Sequence, residues 1–471
     1  MFHKIRTIHF VGIGGTGMCG IAEVLANLGY EVSGSDVSDG DSIRRLRRLG
    51  CRVAIGHAKE NLGGAQVVVV STAVAASNPE VVAARGAGIP VIPRAEMLAE
   101  LMRMKFGIAV AGAHGKTTTT WLCSLVVDQG GFDPTIVVGG RLRALDSNAR
   151  LGQGRYLVAE ADESDGSFLR LSPTLAVITN LDREHLDHYG SMDKLRSTFV
   201  EFANKVPFYG AAIVCADDPL ARGLLPDLHR RVITYGFSED AEVRAVNRRW
   251  EPPRTVFTVQ QRGKVVGDVS LAVPGDHNVR NALAASAVGL ELGIAWDGIA
   301  KALGDFSGIS RRMEIRSDAD GLLVIDDYAH HPTELAATLT AARGVYSDRR
   351  LVALFQPHRY SRTQDLAEQF GAPLAKVDRL VVTSIYAAGE EPIEGVDSRG
   401  IAEAVQRAGG PPVSLVDGWE DAVDLILPET RPGDVVLTLG AGDIWKAGDL
   451  LAARFAASRA GDSVKLSRGR A

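Results

Sequence analysis

Cysteine is scarce in this chain: Cys19, Cys51, Cys123 and Cys215 are scattered through 471 residues, and no two form a CxxC pair. That argues against a disulfide framework and for thiols in a reducing compartment. Aromatic residues make up only 6%, so the cores must rely on aliphatic side chains and alanine. No apolar run approaches the roughly 20 residues that a membrane helix needs. The opening Met1-Phe2-His3-Lys4 lacks the apolar stretch and small-residue cleavage site of a secretory signal. Excess charge is missing too, with a net charge of -5 and a pI near 6.2. A nucleic-acid-binding stripe should raise the pI well above this, so Arg44, Arg45, Arg47 and Arg48, like Arg150 and Arg155, read as solvated faces. The expectation is a cytoplasmic protein that binds neither nucleic acid nor membrane, with no obligate protein partner in evidence.

What is present is enough apolar material for several cores. Hydrophobic residues make up 46% and charged residues 23%, the balance of soluble globular domains. At roughly 150 residues per domain, the length suggests about three. Three segments each open with a strand and continue in strand–helix alternation. The first opens at Thr7-Ile8-His9-Phe10-Val11, passes a Gly-rich turn and a helix, and reaches a second strand ending at Asp36. Further strands read over 67–71 and 89–92, and a helix over 96–103. The second segment opens at Phe106-Gly107-Ile108-Ala109-Val110, with later apolar runs at 156–158, 175–178, 211–215 and 232–235. Short alternating strands over 241–273 read as an antiparallel appendage, before helical periodicity returns over 278–292. The third segment opens at 322–325 and continues with strands over 351–355, 380–383 and 435–439, with Pro332 as the first residue of a helix. Continuous apolar strands alternating with helices predict parallel sheets covered on both faces. The reading is three α/β domains over 1–104, 105–312 and 313–460, followed by a disordered tail over 461–471.

Two Gly-rich turns carry the chemistry. Gly12, Gly14 and Gly17 spell GxGxxG between a strand and a helix, and Asp36 stands at the end of the next strand. This pattern lets the backbone approach a pyrophosphate at a helix N-terminus. It specifies a diphosphate rather than NAD, and Gly15 adds a fourth glycine that loosens the match. NAD, another nucleotide diphosphate and a purely structural turn all stay open at this point. The second turn is Gly112-Ala113-His114-Gly115-Lys116-Thr117. The strict phosphate loop GxxxxGK[ST] requires Gly at position 110, where Val110 stands, so this is a shortened GxxGKT variant. Its backbone N–H groups suit phosphates, Lys116 the terminal phosphates, and the Thr117 hydroxyl magnesium. Thr118 is placed to reach a phosphate as well.

A nucleotide phosphate needs a metal, and magnesium prefers oxygen ligands. Glu160 is the acid nearest the end of the apolar run at 156–158; at least two of Asp162, Glu163 and Asp165 are expected to be solvated. His185 follows the next strand end by a short loop. Both a ligand role and an ordinary hydrogen-bonding role are open to it, since imidazole is an unusual ligand for magnesium.

Together these residues resemble the Mur ligase family, from about residue 7 to about residue 446. The resemblance is carried by residues 12–17, 112–119, 160–167, 180–189, 275–281, 326–334, 355–363 and 386–392. It implies an N-terminal Rossmann-like domain for a UDP-sugar, a central ATPase-type domain and a C-terminal Rossmann-like domain that brings an amino acid. The UDP-substrate residues are then Gly12, Gly14, Gly15, Gly17, Asp36 and Ser71. The ATP residues are Gly112, Ala113, His114, Gly115, Lys116, Thr117 and Thr118. They are joined by Asn278 and Asn281 on the adenine, Arg312 near the phosphates and Asp327 on the ribose. Two magnesium ions are implied, one held by Thr117 and Glu160 and the other by Glu160 and His185. Asn278 also reads as the N-cap of its helix. His358, Arg359 and Arg362 resemble the amino-acid loop of the alanine-adding branch, and the arginines, three apart, suit one carboxylate if the turn is helical. Ala329 departs from the family pattern, which has Gly there, and the carbamylated lysine of other members has no counterpart.

The implied reaction joins L-alanine to the carboxylate of UDP-N-acetylmuramate. ATP phosphorylates the acid, because oxide is a poor leaving group, and the amine then displaces phosphate. Lys116, Glu160, His185 and Arg312 would be catalytic, with His331 or His358 as candidate base. The alternatives are a sister ligase that adds a preformed peptide during wall recycling and, from GxGxxG alone, an NAD-dependent oxidoreductase.

Overall fold

A computed structural model describes residues 5–71, 73–142, 147–251 and 253–468. The opening residues 1–4 lie outside the described residues. Three sheets organise the remainder. The first has the spatial order Arg52–Ile55, Glu31–Asp36, Thr7–Val11, Val67–Val70, Val91–Pro93, with every neighbouring pair parallel. The order in which successive strands are added reverses at Thr7–Val11, so the crevice at the carboxyl ends of the central strands falls at the first Gly-rich turn.

The second sheet has ten strands. Its parallel middle runs Val232–Gly236, Ala211–Cys215, Leu175–Ile178, Phe106–Ala111, Tyr156–Glu160, Thr135–Leu142. One edge adds Ser147–Arg150 antiparallel to its neighbour. The other edge is the predicted appendage, Val243–Glu251, Arg254–Gln261 and Lys264–Leu271, with Arg262 and Gly263 both at positive φ in the last turn.

The third sheet runs Glu314–Ala319, Leu322–Asp327, Val435–Leu439, Leu351–Phe355, Arg379–Thr383, Val413–Val416, and only its first pair is antiparallel. Alternate residues of its central strands enter two separate cores. Leu323, Ile325, Leu351, Phe355 and Leu437 lie in one, and Leu322, Val324, Val352, Leu354 and Val436 in the other. That is the two-residue period of a strand buried on both faces. The few aromatic residues are put to use: Trp121, on the helix Lys116–Gln129, is fully buried.

These elements gather into two compact units. One comprises Met1–Arg249, Val256–Ala272 and Asn278–Ser307, the other Trp250–Thr255, Val273–His277 and Gly308–Ala471. Within the first unit, the helix Arg94–Arg103 ties the first sheet to the second. Arg94 pairs with Asp162 at 3.2 Å, and Glu96 with Arg170 at 2.9 Å. Two expectations need revision. The helix expected from Asn278 starts at Asp276, so Asn278 lies inside its first turn and is no N-cap. The tail expected to be disordered over 461–471 continues the helix Trp445–Arg468, and 469–471 lie outside the described residues.

Candidate functional site

Strand Phe106–Ala111 delivers the second Gly-rich turn to the carboxyl edge of its sheet, and the helix Lys116–Gln129 leaves from it. Gly112 has φ 133°, and a Cβ there would lie 2.1 Å from Thr179 Oγ1. Only glycine fits such a position. The neighbouring strand end braces the loop. Thr179 Oγ1 and Asn180 Nδ2 donate to the His114 carbonyl at 2.7 and 3.0 Å, and the His114 N–H donates to Asn180 Oδ1 at 2.8 Å. His114 Nε2 lies 2.8 Å from Asp182 Oδ2, so this side chain holds the loop in place. Bonds across strand ends so far apart in sequence left no local signal for Thr179, and Asn180 and Asp182 stood out only as part of the 180–189 segment of the resemblance.

Lys116 Nζ donates to the carbonyls of Gly112 and Ala113 at 2.6 and 3.0 Å and to Glu163 Oε1 at 2.8 Å. Burial lowers its basicity, but the carboxylates of Glu163 and Glu160 outweigh this and hold it protonated. Thr117 Oγ1 donates to Glu160 Oε2 at 3.0 Å, at the end of strand Tyr156–Glu160. Of the three acids, at least two of which were expected to be solvated, Asp162 and Asp165 are half-exposed, while Glu163 is buried: its side chain is 2% exposed and its Oε2 has no hydrogen bond. Burial pushes its carboxyl up to about 7, against the pull of Lys116. Asp162 turns to Arg94, and Asp165 accepts the Ser167 N–H at 3.0 Å. His185, at φ 58°, places Nε2 3.8 Å from Glu163 Oε1 and 4.0 Å from Glu184 Oε2. Candidate ligand atoms of Glu163, Glu184 and His185 all lie within 4.8 Å of one another; Glu160, the expected partner of His185, is not in that trio.

Asn281 sits against the same loop. Its Oδ1 accepts the Thr119 hydroxyl at 3.1 Å and would lie 2.8 Å from a Cβ on Gly115. Asn278, one helical turn earlier, accepts Asn281 Nδ2 at 3.4 Å.

In the first turn, the N–H groups of Gly12 and Ile13 donate to the Ser35 carbonyl at 2.8 and 3.0 Å, and Gly14 N–H donates to Asp36 Oδ2 at 2.8 Å. Asp36 therefore holds the turn itself. A cleft of about 220 Å³ opens beside it, lined by Gly15, Gly17, Ser71 and Arg94 from one side and by Glu160 and Asp162 from the other. The first turn thus reaches the acid at the second. Arg94 was not picked out in the sequence, because a lone arginine opening a helix carries no pattern.

In the second unit, Asp327 is buried and accepts the N–H groups of Met313 and Ala329 at 2.7 and 2.8 Å. Burial raises its carboxyl to about 6, against the nearby Arg312. Arg312 lies 3.5 Å from Glu334. Arg359, at φ 72°, caps the helix Tyr360–Leu374 and lies 3.8 Å from Glu390, while Arg362 lies 3.4 Å from His358 Nδ1. The two guanidinium groups are thus engaged separately. His358 stacks on Tyr386 at 5.7 Å. Burial and the neighbouring His330, Arg362 and Arg359 lower it to about 3, which makes it a weak base. His331 Nδ1 caps its helix by accepting the Thr333 N–H at 3.4 Å.

Residues 7–106 match the catalytic domain of the Mur ligase family, residues 110–289 the Mur ligase middle domain, and residues 311–442 the Mur ligase glutamate ligase domain. The UDP-N-acetylmuramate–L-alanine ligase of Trichlorobacter lovleyi is 52% identical over 456 residues, 97% of this chain and 100% of that protein. The chain belongs to the Mur ligase family. The ligase of the same name from Syntrophotalea carbinolica is 54% identical over 96% of this chain and 98% of its own. The crystal structure of a UDP-N-acetylmuramate-alanine ligase from Thermotoga maritima superposes with a TM-score of 0.81 at 30% identity, covering 96% of this chain and 100% of that one. A murein peptide ligase from Psychrobacter arcticus gives 0.69 at 25% identity, covering 95% and 98%.

As a Mur ligase site, the donor set suits an oxygen-preferring cation. The Thr117 hydroxyl and Glu160 carboxylate are adjacent, and Glu163 offers a buried oxygen that no hydrogen bond satisfies.

Proposed function

We propose that this Mur ligase joins L-alanine to the carboxylate of UDP-N-acetylmuramate at the expense of ATP, releasing ADP and phosphate, as a cytoplasmic step in making the cell-wall precursor. One observation carries the reading: the cleft at the first Gly-rich turn is lined by Glu160, which also receives the hydroxyl of Thr117 from the phosphate loop. A sugar nucleotide on one turn and ATP on the other would bring the acceptor carboxylate and the γ-phosphate to one place.

In this reading the backbone N–H groups of residues 112–117 cradle the phosphates, and Lys116 moves from Glu163 to the terminal phosphate. Asn278 and Asn281 receive adenine, Asp327 the ribose, and Arg312 the phosphates. Gly12, Gly14, Gly15, Gly17 and Ser71 hold the UDP-sugar, with Asp36 fixing the turn. Magnesium, held by Thr117 and Glu160 and at a second position involving His185, would neutralise charge on the phosphates. The acceptor carboxylate oxygen attacks the γ-phosphorus and ADP leaves. The alanine amine, its carboxylate held by Arg359 and Arg362 beside His358, then attacks the acyl carbon and phosphate leaves. Catalysis is mostly positioning and charge neutralisation.

The likeness to a murein peptide ligase keeps one alternative, a ligase for a preformed peptide. The test is ADP release by purified protein with UDP-N-acetylmuramate and a panel of amino acids and a preformed tripeptide. Release that requires both the sugar nucleotide and L-alanine is expected. Release with the tripeptide alone favours the alternative, and release without any acceptor sinks both.

A further inference from the structure

In the second unit, Arg311-Arg312-Met313 leads into the edge strand Glu314–Ala319 along an unfavourable backbone. Arg311 has φ 61° and Met313 φ 48°, and neither is glycine. Such residues stay left-handed only where their surroundings over-determine it. Here the Arg311 N–H donates to Glu314 Oε2, the Arg311 carbonyl accepts the Tyr328 N–H, and the Met313 N–H donates to Asp327 Oδ2, each at 2.7 Å. All three nitrogens of the Arg311 guanidinium are engaged as well. Nε donates to Asp326 Oδ2 at 3.0 Å, Nη1 to the carbonyls of Gly442 and Ala441 at 3.0 and 3.4 Å, and Nη2 to the carbonyl of Gly440 at 2.6 Å. Those carbonyls form a Gly-rich turn between strand Val435–Leu439 and helix Trp445–Arg468. The turn is pressed against its neighbours: a Cβ on Gly442 would lie 2.2 Å from Gln356 Oε1 and 2.8 Å from the Tyr386 ring. Asp326 is itself fixed by the Thr438 hydroxyl at 2.7 Å. Arg311 thus grips a rigid anchor.

We propose that Arg311 is a positioning residue for phosphoryl transfer: by tying the left-handed stretch to the carbonyls of Gly440, Ala441 and Gly442, it fixes the backbone from which Arg312 reaches the ATP phosphates. The proposal rests on the phosphate role given to Arg312, and in it Arg311 touches no substrate. Arg312 stands between the two left-handed residues. Its guanidinium lies 5.3 Å from the centroid of the Tyr328 ring, and that of Arg311 lies 4.9 Å from the same ring. Two like charges on one ring repel, so Arg312 holds its place through its backbone and through Glu334 at 3.5 Å. A charge meant for a transition state is worth most when its position is set in advance. Lysine cannot take over from Arg311, because a single ammonium lacks the planar fork that spans four acceptors.

The experiment is a double-mutant cycle on ADP release at saturating substrates, with Arg311→Lys, Arg312→Lys and the double variant measured beside wild type. Circular dichroism verifies folding. Arg311→Lys is expected to lower kcat by about 10–100-fold, the scale of a misplaced catalytic group. In the Arg312→Lys background the same substitution should cost less than about two-fold, because the group it positions is already gone. A clamp that only holds the fold together would cost the same factor in both backgrounds, and equal factors overturn the proposal. So does a normal kcat in Arg311→Lys. Should Arg311→Lys not fold, Asp326→Asn, which leaves the three carbonyl acceptors in place, takes its part in the cycle. A smaller loss is then expected, again confined to the Arg312 background, and the same two results overturn the proposal. A wild-type rate in Arg312→Lys overturns the phosphate role of Arg312 and this proposal with it. A slow Arg312→Lys with equal factors overturns this proposal alone.

Discussion

Two buried glutamates support the two Gly-rich turns, and they are treated in opposite ways. Glu80, behind the first turn, is fully buried and fully engaged. It accepts from Ser35 Oγ at 2.5 Å, Asn61 Nδ2 at 2.6 Å and Ala58 N–H at 3.1 Å, and His9 Nε2 lies at 3.3 Å. The same Ser35 offers its carbonyl to Gly12 and Ile13, which links the network to the turn. Burial alone would raise the Glu80 carboxyl, but hydrogen bonds from His9, Ser35, Asn61 and Ala58 lower it to about 2. Glu163, at the second turn, receives the Lys116 ammonium on one oxygen, with His185 Nε2 3.8 Å from it, and leaves the other oxygen orphaned; burial raises it to about 7. In the proposed reading, the closed network is a fixed platform for the substrate that is only held, and the open one lets the Lys116 ammonium turn from Glu163 toward a phosphate.

The sharpest way to break the comparison is to remove the exchangeable charge. Lys116→Ala should lower the rate of ADP release, with both substrates present, by about 10²–10³-fold or more, the scale seen for loss of one preorganised charge-stabilising donor. Near-normal turnover would show that the second turn is no more chemical than the first.

Next come the turns themselves. Gly112→Ala would drive a Cβ to 2.1 Å from Thr179 Oγ1 at φ 133°, whereas Gly12→Ala, at φ 78°, meets nothing nearer than 3.4 Å. The first must dismantle its loop, and nucleotide affinity by calorimetry should fall by about 100-fold, the fall expected from about 3 kcal/mol of backbone strain. The second costs only the left-handed conformation, about 1–2 kcal/mol. It should raise KM for the sugar nucleotide several-fold while kcat holds. Equal losses in the two variants would erase the distinction.

What could be read in advance follows the same physical divide. Strands Thr7–Val11, Leu175–Ile178, Ala211–Cys215, Leu351–Phe355 and Val435–Leu439 were legible residue for residue. Burial on both faces leaves Leu175–Ile178, Ala211–Cys215 and Leu351–Phe355 as continuous apolar runs, and Thr7–Val11 and Val435–Leu439 as predominantly apolar ones. Edge strands such as Arg52–Ile55, Ser147–Arg150, Glu314–Ala319 and Val413–Val416 went unseen. They are short, polar or half-exposed, as edges tend to be. In the site, the phosphate loop was legible because its chemistry depends on local spacing. Glu163 could not be told from Asp162 and Asp165, of which at least two were expected to be solvated, and Glu80 read as nothing at all. Each owes its burial to loops that meet only in the folded chain: Glu163 with Lys116 and Tyr189, and Glu80 with His9, Ser35 and Asn61.

The smallest effect on turnover, and the cleanest test of the platform, is at Glu80. Its carboxyl is near 2 in the folded chain against an ordinary 4.5. The ionised form is therefore favoured by folding, and the stabilisation is fully present above pH 4.5 and lost as pH falls toward 2. A depression of that size corresponds to on the order of 3 kcal/mol at neutral pH, and the fully buried side chain leaves it unscreened by solvent. In urea unfolding, Glu80→Gln should be less stable than wild type at pH 7, and the gap should narrow steadily between pH 4.5 and 3. ADP release at saturating substrate should change little, because the network meets the turn through the backbone of Ser35. A pH-independent gap would mean that Glu80 acts through shape alone. A large fall in kcat would mean that the first turn, like the second, draws on the charge beneath it.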